Sequence, residues 1–63
     1  MKKDEKLKIA EKARVYRAIN RLTQAELGAL TKTSQRAVSY LETESVEKLS
    51  AETCQKIREI VCG

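Results

Sequence analysis

The chain of 63 residues contains no histidine, proline, tryptophan or phenylalanine, and only two residues each of glycine, cysteine and tyrosine. The sequence also shows no nucleophile with an obvious base beside it and no cluster of metal ligands, so it lacks the side chains that most enzymes use in catalysis. A domain of this size also buries only about 60% of the surface of its unfolded chain, too little to enclose an ordinary substrate pocket. We therefore expect a protein that binds a macromolecule, without catalytic residues, a metal or a cofactor.

The scarcity of aromatic residues means that the core must consist mainly of leucine, isoleucine, valine and alanine. Few β-branched residues alternate with polar ones, so a sheet has little support. These features predict a single all-α domain over residues 1–63, with residues 1–4 as a flexible basic tail.

Long apolar runs are also absent. None approaches the roughly 20 residues that a membrane-spanning helix needs, and no signal-type apolar segment follows the basic start MKKDEKLK. Cys54 and Cys62 lie eight residues apart in a helical pattern, roughly 12 Å along the axis, which is too far for a disulfide. We expect a cytosolic protein in which both cysteines are small apolar side chains.

Helical periodicity predicts four helices. Their approximate spans are Glu5–Asn20, Gln24–Leu30, Gln35–Thr43 and Ala51–Cys62. A polar connection, Thr43 to Lys48, is expected to join the last two.

Four helix starts carry capping residues. Asp4, Ser34 and Ser50 each precede a predicted helix, and Thr23-Gln-Ala-Glu26 has the form of a capping box, in which the side chains of Thr23 and Glu26 each bond the other residue's amide.

The apolar residues define inward faces. In helix one, Ile9, Ala13 and Tyr16 form one line, and Val15 and Ile19 form a second line beside it. The inward residues of the other helices are predicted to be Leu27, Leu30, Ala37, Val38, Leu41, Cys54, Ile57, Ile60 and Val61. A glycine inside a helix costs about 0.5–1 kcal/mol relative to alanine, so Gly28 indicates a close crossing between helices.

Charge is distributed unevenly. Residues 1–36 carry ten Lys/Arg and four Asp/Glu, whereas residues 37–63 carry three and five. A basic amino-terminal part is compatible with a polyanionic partner.

Two short helices joined by a short turn are typical of a helix-turn-helix. The first turns of one such helix can reach base edges in the major groove of DNA. Gln35 can pair with adenine, Arg36 with guanine or phosphate, and Tyr40 with a base, a thymine methyl group or the backbone. We infer that helix three reads DNA.

The segment LTQAELGALTKTSQRAVSYLE, Leu22–Glu42, resembles the helix-turn-helix of the lambda repressor and Cro family of bacterial and phage regulators. The matching elements are Leu-Thr-Gln at the start of helix two, Glu-Leu-Gly at the crossing, Ser-Gln at the start of helix three, and Val-Ser followed by Leu-Glu. Weaker similarity extends through helix one and through LSAETCQKI. The resemblance implies a small four- or five-helix lambda-repressor-like domain.

The resemblance also implies roles for individual residues. The base-reading residues would be Gln35, Arg36, Ser39 and Tyr40. The predicted phosphate-contacting residues are Gln24, Lys32, Ser34 and Arg21, and for Lys32 and Arg21 this prediction comes from the basic side chains and not from the resemblance. Gln24 would also brace Gln35 through a side-chain hydrogen bond, and Arg17 would form a structural ion pair with Glu42.

The chain departs from the family at several positions. The family usually has glycine where Lys32 and Arg21 stand here. A left-handed conformation at Lys32 would be strained by roughly 1 kcal/mol. The acidic residues Glu44 and Glu47 occupy a segment that in the family often carries groups contacting the DNA backbone, and they would oppose such contacts.

The sequence therefore predicts a sequence-specific transcriptional regulator, more specifically a repressor, in the cytoplasm of a bacterial or phage-infected cell, associated with the nucleoid. It would act as a homodimer on a near-palindromic duplex site, with Cys54, Ile57 and Val61 of helix four at the dimer contact. One alternative is a partner-binding module with the same fold, such as an anti-repressor or an antitoxin-like domain. Another is the DNA-binding part of a longer repressor.

Overall fold

The computed structural model describes residues 2–63, apart from the side chains of residues 44 and 45. The described residues form helices joined by short turns and contain no strand, which confirms the all-α prediction. Its elements are α1 (Lys3–Asn20), α2 (Gln24–Leu30), α3 (Gln35–Leu41), a 3-10 helix (Glu44–Lys48) and α4 (Ala51–Val61). None of these helices combines the length and the apolar character needed to cross a membrane.

Helix α1 begins earlier than predicted. Its first residue is Lys3, and Lys2 occupies the N-cap without a capping side-chain bond. Asp4 lies inside the first turn together with Glu5, where carboxylates favour the positive end of the helix dipole. The predictions of an Asp4 cap and of a flexible tail at Lys3 and Asp4 are therefore wrong, and Met1 lies outside the described residues.

The other helix starts are capped as predicted. At α2 the Thr23 amide donates to Glu26 Oε1 at 2.9 Å, and the Glu26 amide donates to Thr23 Oγ1 at 3.1 Å. Ser34 and Ser50 accept hydrogen bonds from the third residue of α3 and α4, respectively. Each cap satisfies an amide that has no partner within its helix, so the three starts are fixed by local sequence.

The core lies where α1, α3 and α4 meet, and α2 closes one side of it. Its buried side chains are Ile9, Ala10, Ala13, Leu27, Ala37, Val38, Leu41, Val46, Leu49, Cys54 and Ile57. Of the two apolar lines on α1, the one containing Ile9 and Ala13 faces inward, whereas Val15 and Ile19 are 51% and 75% exposed.

Leu30 is 45% exposed, so the prediction that it faces the core is wrong. Leu27 and Gly28 are the buried residues of α2. Successive residues of a helix are separated by about 100° around its axis. The direction midway between Leu27 and Gly28 faces the core, and Leu30 lies about 110° from that direction.

The segment between α3 and α4 contributes to the core, which the sequence did not predict. Val46 is fully buried and Leu49 is 7% exposed. Lys6 Nζ also donates to the carbonyl oxygen of Leu49 at 2.6 Å, which ties this segment to α1. Helix α3 ends at Leu41, earlier than predicted, and the 3-10 helix that follows directs Val46 inward.

Gly28 lies at the backbone of the α3 start. A Cβ atom at this position would lie 2.5 Å from the carbonyl carbon of Ser34 and 2.8 Å from the amide nitrogen of Gln35. The contacting atoms are backbone and cannot rotate away, so a side chain here would force α2 and α3 apart. The close crossing predicted from this glycine is confirmed.

We expect Gly28→Ala to lower the free energy of unfolding by about 1–2 kcal/mol, because the overpacking strain exceeds the gain in helix propensity. Urea unfolding measures the change. The control is Ala29→Gly, at an exposed position of the same helix, with an expected loss of at most about 1 kcal/mol. A Gly28→Ala variant as stable as the wild type would contradict the contact.

Candidate nucleic-acid interface

A broad depression of about 780 Å³ lies over the start of α3. We call it the α3 surface. It brings together six of the eight predicted DNA-contacting residues, namely Gln24, Ser34, Gln35, Arg36, Ser39 and Tyr40. Among the described residues, the lining includes amide, hydroxyl and guanidinium groups and no carboxylate, so it can hydrogen-bond to bases and phosphates without repelling them.

The residues of the α3 surface differ in how far they are buried. Ser39 and Tyr40 are half-buried, and the Tyr40 ring packs against the core. Gln35 and Arg36 are exposed. Ser34 caps α3 by accepting the Ala37 amide at 3.1 Å, which leaves its hydroxyl proton free to be donated to a ligand.

Gln24 does not brace Gln35 as the family resemblance implied. Its side-chain amide donates to Glu42 Oε1 at 3.3 Å, and within the described residues no hydrogen bond joins it to Gln35. A charged carboxylate is a stronger acceptor than a neutral amide oxygen, so Glu42 takes the Gln24 donor. The Gln35 side chain therefore projects without this support.

The ion pair expected between Arg17 and Glu42 is present and bidentate. Arg17 Nε donates to Glu42 Oε2 and Arg17 Nη2 to Glu42 Oε1, both at 2.7 Å. A third guanidinium nitrogen, Nη1, donates to the carbonyl oxygen of Leu22 at 3.1 Å. Arg14 donates to the backbone carbonyl oxygen of Glu42. These bonds fix the end of α3 against α1 and the turn before α2.

This environment shifts both ionisation equilibria. Burial of the Glu42 carboxyl by itself raises its pKa, but hydrogen bonds from Arg17 and Gln24 and the charges of Arg17 and Arg14 outweigh burial and lower the pKa below its ordinary 4.5. The hydrogen bond to Glu42 raises the pKa of Arg17. The pair is thus held in its charged form.

Two cations occupy left-handed backbone positions at the ends of α1 and α2. Arg21 has φ 53° and Lys32 has φ 59°. After each, the next amide bonds back to the helix: Leu22 to Arg17 at 2.9 Å and Thr33 to Gly28 at 2.8 Å. Both helix ends are therefore Schellman motifs, in which the left-handed residue is usually glycine. Arg21 and Lys32 lie at opposite ends of α2, and neither lines the α3 surface.

Lys48 was not predicted to belong to the site. Its Nζ lies 5.8 Å from the centroid of the Tyr40 ring, within cation–π distance. Glu47, expected to oppose DNA contacts, pairs instead with Lys3 at 2.8 Å. The side chain of Glu44 lies outside the described part of the chain. The segment after α3 thus places a cation next to Tyr40. The only sequence signal for this position is that Lys48 lies between two apolar residues, Val46 and Leu49, which are both buried in the structure.

Two of the three residues predicted at the dimer contact on α4 lie in the core of the chain itself. Cys54 and Ile57 are fully buried in the core of the chain itself, and Val61 packs against that core. Cys54 and Ile57 therefore cannot contact a second copy, whereas Val61 is only partly buried and its place at a dimer contact stays a prediction. Neither cysteine forms a disulfide, as predicted, and burial raises the pKa of the Cys54 thiol. The homodimer itself stays a prediction.

The chain matches no protein-family model, no curated protein and no solved structure. The family resemblance of Leu22–Glu42 therefore stays a prediction, and the function is argued from the chemistry of the α3 surface.

We expect Arg17→Met to lower the free energy of unfolding by about 2–3 kcal/mol, because it leaves the largely buried Glu42 carboxylate without its main partner. The double variant Arg17→Met/Glu42→Leu should lose less than the sum of the single variants, with a coupling energy of at least about 1 kcal/mol. Urea unfolding at neutral pH measures all three. The control is Lys56→Met, which breaks the exposed Lys56–Glu52 pair and should change stability by less than about 0.5 kcal/mol. Additive losses would contradict a coupled pair.

The lowered pKa of Glu42 makes stability depend on pH. The contribution of this carboxylate is fully present above its unfolded value, ordinarily 4.5, and is lost as pH falls through the lower folded pKa. The melting temperature of the wild type should therefore fall more steeply below this value than that of Glu42→Gln, which has no titrating group at this position. Thermal unfolding followed by circular dichroism from neutral to acidic pH measures the difference. Parallel profiles would count against the ion pair, since Glu47 and the other carboxylates are common to both proteins.

Proposed function

We propose that the chain is a transcriptional regulator that binds double-stranded DNA and reads its sequence with α3. The observation that carries the proposal is the α3 surface, where polar and basic side chains converge and none of the described lining residues carries a carboxylate. Together with α2 and the intervening turn, this helix would form a helix-turn-helix of the lambda repressor and Cro type, as the resemblance of Leu22–Glu42 suggests.

The exposed side chains have the chemistry for base reading. The major groove of B-DNA is about 12 Å wide and admits one α-helix. With α3 in this groove, Gln35 can bond the N6 and N7 edge of adenine, and Arg36 the O6 and N7 edge of guanine. Tyr40 and Ser39 lie one turn further along and would reach the next bases or the adjacent sugar-phosphate backbone.

Phosphate contacts would come from the rim of this surface. Lys32, in the turn before α3, and Arg21, before α2, present exposed cations. Both tolerate a strained backbone where glycine would be relaxed, and strain of this kind is often retained at functional positions. Gln24 and Ser34 would add neutral contacts. Lys48 would hold the Tyr40 ring and extend the positive rim beyond the end of α3.

The biological outcome would be control of transcription, with repression by occlusion of a promoter as its simplest form. One small domain neutralises few phosphates, so tight binding at physiological salt calls for two copies on a near-palindromic site. The two reading helices would then enter successive major grooves about 34 Å apart. Such a regulator acts in the cytoplasm of a bacterial or phage-infected cell.

Selection from a random duplex library at near-physiological salt tests the proposal. We expect enrichment of a two-fold motif, and we expect Arg36→Ala to relax one position of each half-site at a loss of about 1–3 kcal/mol. The matched control is Arg58→Ala on α4, which should leave the motif unchanged. If no sequence is enriched and the weak binding disappears as salt rises, sequence-specific DNA reading is wrong and the partner-binding alternative is favoured.

Lys32→Gly separates stability from DNA binding. Glycine relieves the left-handed strain, less its own entropic cost, so the free energy of unfolding should rise by about 0.5–1 kcal/mol. Loss of one phosphate contact should weaken DNA binding and reduce the slope of log K against log salt by about 0.9. Urea unfolding and salt titration of DNA binding measure the two effects. A stabilised variant with an unchanged salt slope would remove Lys32 from the DNA interface.

A further inference from the structure

A second concave feature lies away from the α3 surface. It is a groove of about 230 Å³ between the amino-terminal half of α1 and the carboxyl-terminal end of α4. We call it the α1–α4 groove. Its lining consists of Glu5, Lys8, Ile9, Lys12, Arg58 and Cys62, none of which lines the α3 surface. The proposed DNA reading leaves this groove unused.

An exposed stripe on α1 continues the groove. Lys8, Lys12, Val15 and Ile19 are spaced four, three and four residues apart, which places them on one face of the helix. Val15 and Ile19 are 51% and 75% exposed, so helix α1 keeps two large apolar side chains in solvent. Lys8 and Lys12 belong to both the groove and the stripe, and the two features form one continuous surface.

The charges of this surface are mostly unpaired. Within the described residues neither Lys8 nor Lys12 forms an ion pair, and Arg58 donates only to the neutral side chain of Gln55, at 3.3 Å. Glu5, at the amino-terminal end of the groove, is the single carboxylate among the described lining residues. Three cations against one anion leave a positive rim beside exposed apolar side chains.

We propose that the α1–α4 groove and the α1 stripe form a docking surface for an acidic, amphipathic segment of another protein. Carboxylates of the segment would meet Lys8, Lys12 and Arg58. Its apolar side chains would cover Val15 and Ile19, and one would enter the groove over Ile9. The groove is smaller than ordinary ligand pockets of about 300–1,000 Å³, so it suits a side chain rather than a whole small molecule.

The same observations disfavour other occupants. Nucleic acid would satisfy the cations but leave Val15 and Ile19 without an apolar partner. A second copy of the chain, docked through the same surface about a two-fold axis, would bring like cations close together. The proposal is independent of DNA binding, because it uses none of the residues assigned to DNA contacts.

Protection of Cys62 from alkylation tests the proposal on the whole chain. Cys62 is exposed in the groove, whereas Cys54 is fully buried, so iodoacetamide should label Cys62 selectively. The probe is a synthetic helical peptide of roughly 14 residues, with leucines spaced three and four apart and glutamates at most other positions. One control peptide replaces the leucines by serine, and another replaces the glutamates by lysine. Amide chemical shifts of the isotope-labelled protein map the contact in parallel.

Two charge-matched variants decide whether binding is local. Lys8→Glu/Lys12→Glu should weaken peptide binding about tenfold or more, since two attractive contacts become repulsive. Lys32→Glu/Arg36→Glu changes the total charge equally but on the α3 side, and it should change binding by no more than about twofold at physiological salt. Ile19→Ser, at a largely exposed position, should weaken binding without unfolding the chain.

The proposal is supported if the acidic leucine peptide alone protects Cys62 and shifts amides of α1 and α4, and if only the groove and stripe variants weaken it. It is overturned if no peptide protects Cys62, or if both charge-reversed proteins lose binding equally. It is also overturned if duplex DNA protects Cys62 better than the peptide does. Sedimentation showing a dimer that Ile19→Ser dissociates would overturn it as well, by assigning the surface to a second copy.

Discussion

The carboxylate of Glu42 is the point where the first three α-helices of this chain meet. It ends α3, receives two hydrogen bonds from Arg17 of α1 and receives one from Gln24 of α2. The core is built from aliphatic side chains and small residues, which pack without strong directional preference. A planar, bidentate guanidinium–carboxylate contact does have a preferred direction. This polar junction therefore fixes the end of α3 in a defined direction and contributes to the direction in which Gln35 and Arg36 project.

The small size of the domain explains why the segment between α3 and α4 contributes side chains to the core. A chain of 63 residues has little interior, and the segment between α3 and α4 supplies Val46 and Leu49 to it. Once these side chains are anchored, the residues between them acquire fixed directions. Glu47 points to Lys3, and Lys48 lies over Tyr40. The segment between α3 and α4, which is rich in glutamate, thus contributes Val46 and Leu49 to the core and places the cation of Lys48 near the α3 surface.

Features that depend on local sequence could be predicted, and features that depend on distant partners could not. The Thr23, Ser34 and Ser50 caps follow from a few adjacent residues, and Gly28 indicated a crossing because glycine is unfavourable inside a helix. Leu30 was misplaced because the inward direction of a seven-residue helix is set by the helix that it crosses. The hydrogen-bond partner of Gln24 was misassigned for a similar reason. A family resemblance does not show whether the Gln24 amide donates to Glu42 or to Gln35 in this chain. The burial of Val46 was not predicted because this single apolar residue stands among polar neighbours in the sequence.

The contact of Gly28 with the backbone of Ser34 and Gln35 has a consequence for how this protein could change over evolutionary time. It fixes the start of α3 through main-chain atoms, which are the same whichever side chains stand at positions 35 and 36. Gln35 and Arg36 themselves are exposed and belong to neither the core nor the Glu42 junction. Their identities can therefore vary with little effect on folding. Under the proposed DNA reading, recognition and stability would be encoded by different atoms, so descendants of this sequence could acquire new binding preferences by single substitutions while keeping the same scaffold.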